Sequence, residues 1–341
     1  MNRRPARLPA IVFAALLALG PAGCAPPDSD APVRVVTLGT GGGPLVRVKR
    51  AQSANAVVVG ETVYLIDSGD GVLRQLQAAG IGLSQVRAIF ITHHHLDHTA
   101  GLAPLLGLRW MTAVNTPLEL HGPRGMAELT KGFDTAVGPA VAVDFARSPH
   151  PLSAVRTREI GAPGLIYADE NIRVFAAENT HYHAAPSGRT APPKSYAYRI
   201  ETADGVVVFT GDTGPSEAVV RLAKGADLLV SEVIDLDATL AITDRLLPNL
   251  PADRRASLAR HLAENHLAPE QVGRLATTAG VGRVVLSHLA PGLDSETSTD
   301  SYSAGVRKTY RGRVTVARDL MAFPLRRRGP KPPVDKRRRT G

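Results

Sequence analysis

Four side chains that could bind metal ions lie within six residues of one another. The segment Thr92-His-His-His-Leu-Asp-His-Thr-Ala-Gly101 follows an apolar stretch that predicts a buried strand. Since residues two apart on an extended segment point the same way, His93 and His95 can hold one ion together. The next turn offers Asp97 and His98 to a second ion. Imidazole and carboxylate without thiolate favour Zn²⁺ at a catalytic site, with Mn²⁺ or Fe as alternatives.

The elements that must position these residues alternate between strands and helices, and hairpins recur in each half of the chain. Apolar alternation and turn residues predict the strands 33–38, 56–59, 62–66, 88–91, 174–177, 194–200, 206–210 and 283–286. Helical spacing predicts one helix after residue 71 that Gly80 closes, and another over residues 269–279. This pattern predicts an α/β chain with mixed sheets covered by helices, in one domain over residues 33–325.

The histidine segment resembles the H-x-H-x-D-H signature of the metallo-β-lactamase superfamily. Matching motifs follow in family order: the Leu-Gly-Thr turn at 38–40, Leu-Ile-Asp-Ser-Gly at 65–69, Phe-Thr-Gly-Asp-Thr-Gly at 209–214 and Leu-Ser-His at 286–288. The resemblance implies an αββα sandwich, with two metal ions in the groove at the sheet edge.

The resemblance also implies a set of ligands. His93 and His95 would bind the first metal, and Asp97 and His98 the second. Four further residues have a role in the resemblance. Asp212 would bridge both ions, and His288 would complete the second site. His181 is favoured over His183 as the third histidine of the first site, and Asp67 would accept a hydrogen bond that orients a ligand.

Such a site predicts hydrolysis. Two Zn²⁺ ions about 4 Å apart lower the pKa of a shared water to near 7, so that a bridging hydroxide can attack an electrophile. Asp97 would orient this nucleophile, and the leaving group needs a proton. His266 is the candidate donor, because its surroundings resemble the H-x-T region of ribonuclease Z-like phosphodiesterases, with Ala268 in place of the threonine. Glu232 matches the glutamate that partners this histidine.

The N-terminus predicts export. Arginines precede a short apolar run at residues 11–19, and small residues follow, as in a signal peptide spanning residues 1–24. The only cysteine, Cys24, is placed as in the lipobox of bacterial lipoproteins, although Pro21 stands where that pattern prefers an aliphatic residue. A plain secretory signal is the alternative. We expect a periplasmic or lipid-anchored protein, without an internal disulfide.

The positive charge of the chain is concentrated at its ends. The formal net charge is +9, of which the predicted disordered tail 326–341 supplies +7 and Arg3, Arg4 and Arg7 supply +3. Residues 8–325 therefore carry about −1. A nearly neutral body lacks the cations that bind nucleic-acid phosphates, so nucleic acid is not the expected partner, although the tail alone could contact it.

These features together predict an exported two-zinc hydrolase of a small anionic ester, most plausibly a phosphodiester and next a sulfate ester. The site most resembles the ribonuclease Z and arylsulfatase-like group. The basic arm with which ribonuclease Z clamps tRNA is not evident between Tyr182 and Lys194. The alternatives are a lactone or carboxylic-ester hydrolase, a ribonuclease Z-like RNA endonuclease and a non-catalytic binding protein. The oligomeric state is left open.

Overall fold

Two mixed seven-stranded sheets form the centre of the structure, a computed structural model that describes residues 31–143, 150–182 and 194–326. The first sheet contains β1 Val33–Gly39, β2 Ala54–Val59, β3 Thr62–Ile66, β4 Val86–Phe90, β5 Leu118–Gly122, β6 Val155–Glu159 and β14 Met321–Pro324. The second contains β7 Gly164–Ala168, β8 Ile172–Glu178, β9 Tyr196–Thr202, β10 Val206–Phe209, β11 Leu228–Ile234, β12 Arg283–Ala290 and β13 Arg313–Val316. The expected signal peptide with Cys24, the tail beyond residue 326 and His183 lie outside the described residues.

The two sheets follow one pattern. In the first the order is β14-β1-β2-β3-β4-β5-β6, and in the second β13-β12-β11-β10-β9-β8-β7. Each half of the chain starts with antiparallel pairs and continues with three parallel pairs. The last strand, β14, returns to the first sheet and pairs with β1.

The α-helices of the described residues are α1 Val72–Ala78, α2 Leu96–Thr99, α3 Leu102–Met111, α4 Met126–Val143, α5 Glu217–Leu222, α6 Leu236–Leu246, α7 Ala252–Asn265, α8 Pro269–Ala279 and α9 Asp300–Thr309. Helices such as α1, α3, α5, α8 and α9 cover the outer faces of the sheets. One apolar core lies between the sheets and includes Phe90 and Val230. Two more lie between a sheet and its helices. These four layers confirm the predicted αββα sandwich.

Local sequence explains several of these elements. The predicted helix over residues 269–279 is α8: Pro269 starts it, Gly280 ends it with φ +66°, and Val272 and Leu275 are among its buried residues. Proline suits the first turn of a helix because its missing N–H has no partner there. Both predicted hairpins are also present, as β2–β3 and β9–β10.

The carboxyl ends of β4, β8, β10 and β12 lie at one edge of the sandwich. The seven predicted metal ligands follow these strands or, like His288, lie near their ends. Within the described ranges, no helix is both long and apolar enough to cross a membrane.

Candidate metal centre and proton donor

The loop between β4 and α2 is held by Asp67, which follows β3. Oδ1 of Asp67 accepts hydrogen bonds from the backbone N–H of Thr92 at 2.7 Å and from its hydroxyl at 3.0 Å. Oδ2 accepts from Nδ1 of His98 at 2.8 Å. This bond leaves Nε2 of His98 facing the centre, so the expected orienting role of Asp67 agrees with its contacts.

Three histidines and one aspartate form the first group of candidate ligands. Nδ1 of His95 lies 3.1 Å from Nε2 of His93 and 3.1 Å from Nε2 of His181. Oδ2 of Asp212 lies 3.7 Å from His93 Nε2 and 3.9 Å from His181 Nε2. Nδ1 of His181 donates to the carbonyl oxygen of Asn265 at 3.1 Å, which leaves its Nε2 lone pair for a metal.

The second group contains two aspartates and two histidines. Nε2 of His288 lies 3.2 Å from Oδ2 of Asp97 and 3.2 Å from Oδ2 of Asp212. Nε2 of His98 lies 3.3 Å from Oδ1 of Asp212. In each group the ligand atoms lie within 4.8 Å of one another, and Asp212 belongs to both. The structure thus brings together all seven predicted ligands, with Asp212 where a bridging carboxylate would be.

Burial and neighbouring charges shift the pKa values of the histidines differently in the two groups. Burial lowers the pKa of His93, of His95 and of His181, the last to about 3, so these imidazoles are neutral at pH 7. Burial also opposes the charged form of His98, but the carboxylates of Asp212 and Asp67 outweigh it and raise its pKa. The second group therefore has a stronger negative field, which favours a cation.

The donor atoms suit divalent metal ions. They are imidazole nitrogens and carboxylate oxygens, the usual ligands of catalytic zinc. Nε2 of His98 and Oδ1 of Asp212 are both buried, yet within the described ranges neither makes a hydrogen bond. Unpaired buried polar atoms are costly, and a metal between them removes that cost. His95 is exposed while the other members are buried, so the centre opens to solvent at His95.

Glycines allow the backbone to approach the second group closely. A Cβ on Gly42 would lie 2.5 Å from Nδ1 of His288, so only glycine fits there without displacing the ring. The N–H of Gly43 donates to Oδ2 of Asp97 at 2.8 Å. The turn that carries Asp212 also contains a glycine, Gly211, whose φ is +56°.

His266 lies beside both groups and is paired with Glu232. Its Nδ1 is 2.7 Å from Oε2 of Glu232, whose Oε1 accepts from the backbone N–H of Thr213. The His266 ring centroid is 4.9 Å from that of His181 and 6.3 Å from that of His288. Burial opposes protonation of His266, but the Glu232 carboxylate outweighs it and raises the His266 pKa to about 9.

His261 is a neighbour of the centre that the sequence did not indicate. It lies on α7, with its ring centroid 6.2 Å from that of His181 and 6.4 Å from that of His266. The side-chain amide of Asn265 donates to His261 Nδ1 at 2.7 Å. Both His266, at the end of α7, and His261, within its last turns, thus lie near His181. Only the packing of α7 reveals this, because no motif includes His261.

Three other histidines lie away from the centre. His94 lies 3.0 Å from the carbonyl oxygen of Arg124 through its Nε2, and His150 forms an exposed pair with Asp134. His121 is buried and stacks on Phe90.

Comparison with known proteins agrees with this geometry. The model of a family described as "Beta-lactamase superfamily domain" matches residues 62–289. The chain belongs to the metallo-β-lactamase superfamily. Ribonuclease Z of Mycobacterium sp. (strain KMS) is 32% identical over 272 residues, which cover 77% of this chain and 88% of that protein. For ribonuclease Z of Mycolicibacterium gilvum the identity is 31%, covering 76% and 85%. This superfamily member is therefore a metal-dependent hydrolase of the ribonuclease Z-like branch.

Solved structures of superfamily members share its fold. The metallo-β-lactamase fold protein YhfI from Bacillus subtilis aligns with a TM-score of 0.60 at 20% identity, covering 86% of this chain and 99% of that one. The short form of human tRNase Z aligns with a TM-score of 0.59, also at 20% identity and with the same coverage. Zn²⁺-bound PqqB from Methylobacterium extorquens gives 0.60 at 18% identity, covering 86% and 100%. At such identities the likeness concerns the fold alone.

Proposed function

We propose that this superfamily member is an exported hydrolase that uses two zinc ions to cleave a small phosphodiester. The observation that carries the proposal is the His266–Glu232 pair beside two groups of metal ligands. Cleavage of a phosphodiester with an alkoxide leaving group needs a proton at the departing oxygen. A histidine with its Nδ1 paired to a carboxylate can supply that proton from Nε2.

Each residue near the centre then has a role. When bound, two divalent ions acidify a water molecule and stabilise negative charge on the substrate. His93, His95 and His181 would bind one ion, and Asp97, His98 and His288 the other, with Asp212 between them. Asp97 would also orient the attacking water. Glu232 keeps His266 turned toward the leaving group through its Nδ1 contact.

Zinc as the metal, and two ions per chain, are parts of the proposal. The donor set of nitrogen and oxygen atoms supports zinc, while Mn²⁺ or Fe would accept the same ligands. Export, with or without a lipid at Cys24, rests on the N-terminal sequence alone. A sulfate ester is the next substrate class, because it presents a similar anionic tetrahedral group.

RNA is a second candidate substrate, favoured by the identity to mycobacterial proteins named ribonuclease Z over 85–88% of their lengths. The net charge of residues 8–325 is about −1. This charge disfavours RNA as the substrate, because RNA binding requires cations that neutralise the phosphates. Lactone or carboxylic-ester hydrolysis remains the other alternative. A carbonyl substrate with a good leaving group would not need a proton from His266, whereas a simple lactone, whose leaving group is an alkoxide, would.

The role of His266 can be tested with zinc-loaded His266→Ala protein. We expect unchanged metal content and a turnover reduced by about 10²–10⁴-fold on a phosphodiester with an alkyl leaving group. The loss should shrink on an aryl ester whose leaving group needs no proton. His150→Ala, which removes an exposed histidine, is the matched control. Equal losses on both esters, or no loss, would remove His266 from the proposed reaction.

A further inference from the structure

Arg47 carries a half-buried charge in the loop that joins β1 to β2. Its Nη2 donates to the carbonyl oxygen of Gly42 at 2.8 Å and to that of Pro291, and its Nη1 donates to the carbonyl oxygen of Leu45 at 2.8 Å. Among the described residues, no carboxylate pairs directly with this guanidinium, although Glu296 and Asp294 are near enough to act on it electrostatically. Placing a charged group there costs free energy. Arginine nonetheless suits the position, because its planar fork contacts several carbonyls at once.

The backbone segments that Arg47 joins both contact the second group of candidate ligands. Gly42 packs directly on the His288 ring, and the N–H of Gly43 donates to Asp97. Pro291 lies three residues after His288 in the chain. Two of the four members of the second group are therefore supported by backbone that the Arg47 guanidinium holds in place.

Two histidines of the first group are supported independently of this loop. His181 is oriented by the carbonyl oxygen of Asn265, and Nδ1 of His93 lies 3.0 Å from the hydroxyl of Thr92. None of the hydrogen bonds between the described side chains joins Arg47 to either histidine. Loosening the loop should thus disturb one metal position and leave the other intact.

We propose that Arg47 is a positioning residue for the second metal ion. It fixes the Gly42–Gly43 backbone and the segment after His288, and so holds Asp97 and His288 at a spacing that binds a cation. This inference rests on the two-metal site proposed above and does not depend on the substrate. Outer contacts of this kind typically change metal affinity by about 10–100-fold.

Stepwise zinc binding tests the inference. Metal-free wild-type, Arg47→Met and Arg47→Lys proteins are titrated with zinc against a chromophoric chelator at neutral pH, and His288→Ala protein identifies the second step. Arg87→Met is the control, since Arg87 lies exposed near the start of β4 and pairs only with Glu170 among the described carboxylates. We expect Arg47→Met to weaken only the second step, by about 10–100-fold. Arg47→Lys should weaken it less, and Arg87→Met should leave both steps unchanged.

Two zinc-binding steps of wild-type affinity in both Arg47 variants would overturn the inference while leaving the two-metal site in place. Equal weakening of both steps, with a lower melting temperature of the metal-free variant, would reduce Arg47 to general support of the fold and overturn it too. A single step in the wild-type protein would contradict the two-metal site itself. If Arg47→Met does not fold, Arg47→Lys carries the same comparison.

Discussion

Asp212 is the residue on which both groups of ligands depend. Its Oδ2 approaches His93, His181 and His288, and its Oδ1 approaches His98. Removing this carboxylate takes one candidate ligand from each group. Asp212→Ala should therefore lower zinc content from about two ions per chain to fewer than one, and abolish turnover with it.

Metal analysis after dialysis, together with turnover of a chromogenic diester, checks this prediction. Asp237→Ala serves as the control, because Asp237 is exposed on α6 and belongs to neither group. Full activity in Asp212→Ala protein that has lost its metal would contradict the site assignment.

The sequence could indicate the candidate ligands because they lie in compact motifs directly after strands. The motif around Asp97 and the turn that carries Asp212 both have local signatures that need no tertiary information. His261 and Arg47 have none, since their proximity to the centre depends on how α7 and the β1–β2 loop pack. The choice between His181 and His183 is supported by the position of His181, while His183 lies outside the described residues.

At the scale of elements, Asp169 links the two sheets. It lies in the turn between β7 and β8, and its Oδ2 accepts hydrogen bonds from Tyr167 at 2.7 Å and from Tyr64 of β3, in the other sheet, at 2.6 Å. Burial alone would raise the Asp169 pKa, but these hydroxyls and two backbone N–H groups outweigh it and lower that pKa.

A lowered pKa makes this contribution depend on pH. The stabilisation is present above the ordinary aspartate pKa of about 4 and is lost as the pH falls through the lower value in the folded protein. Asp169→Asn should lower the unfolding free energy of metal-free protein by about 1–2 kcal/mol at pH 7. The difference from wild type should shrink below pH of about 4.

Urea denaturation at pH 7 and below a pH of about 4 measures what Asp169 contributes to the free energy of unfolding. Glu170→Gln, which alters only an exposed pair with Arg87, should cost close to nothing and serves as the control. A difference between wild type and Asp169→Asn that stays constant with pH would show that the carboxylate charge is not responsible.

Among the elements, several with strong local signals were predicted, while others, such as the buried strand β11 and helix α3, were not. Helix α8 has a proline start, a glycine end and one apolar face, and its bounds agree with the prediction. Helices α6 and α7 were not predicted, because most of their residues are exposed or half-buried and show no clear apolar stripe. The pairing of β14 with β1 joins residues nearly 290 positions apart in sequence, which no local pattern encodes.

At the scale of the whole molecule, the distribution of charge distinguishes the candidate substrates. The candidate metal centre is lined by titratable groups that are buried except for His95. Residues 8–325 carry about −1 in total. Local cations from bound metals would attract a small anion, whereas a long RNA would need further positive charge along its path. On our proposal, the nearly neutral body formed by residues 8–325 therefore suits a small substrate better than a polynucleotide.

The most direct test is the kcat/KM of zinc-loaded protein on a small chromogenic phosphodiester, the matching sulfate ester, a simple lactone and a tRNA precursor. We expect the phosphodiester to have the highest kcat/KM and the precursor to be cleaved poorly at physiological salt. Preference for the lactone would contradict the proposed reaction while leaving the fold and the metal centre unchanged. Efficient cleavage of the precursor would instead make RNA the substrate and contradict the argument from charge.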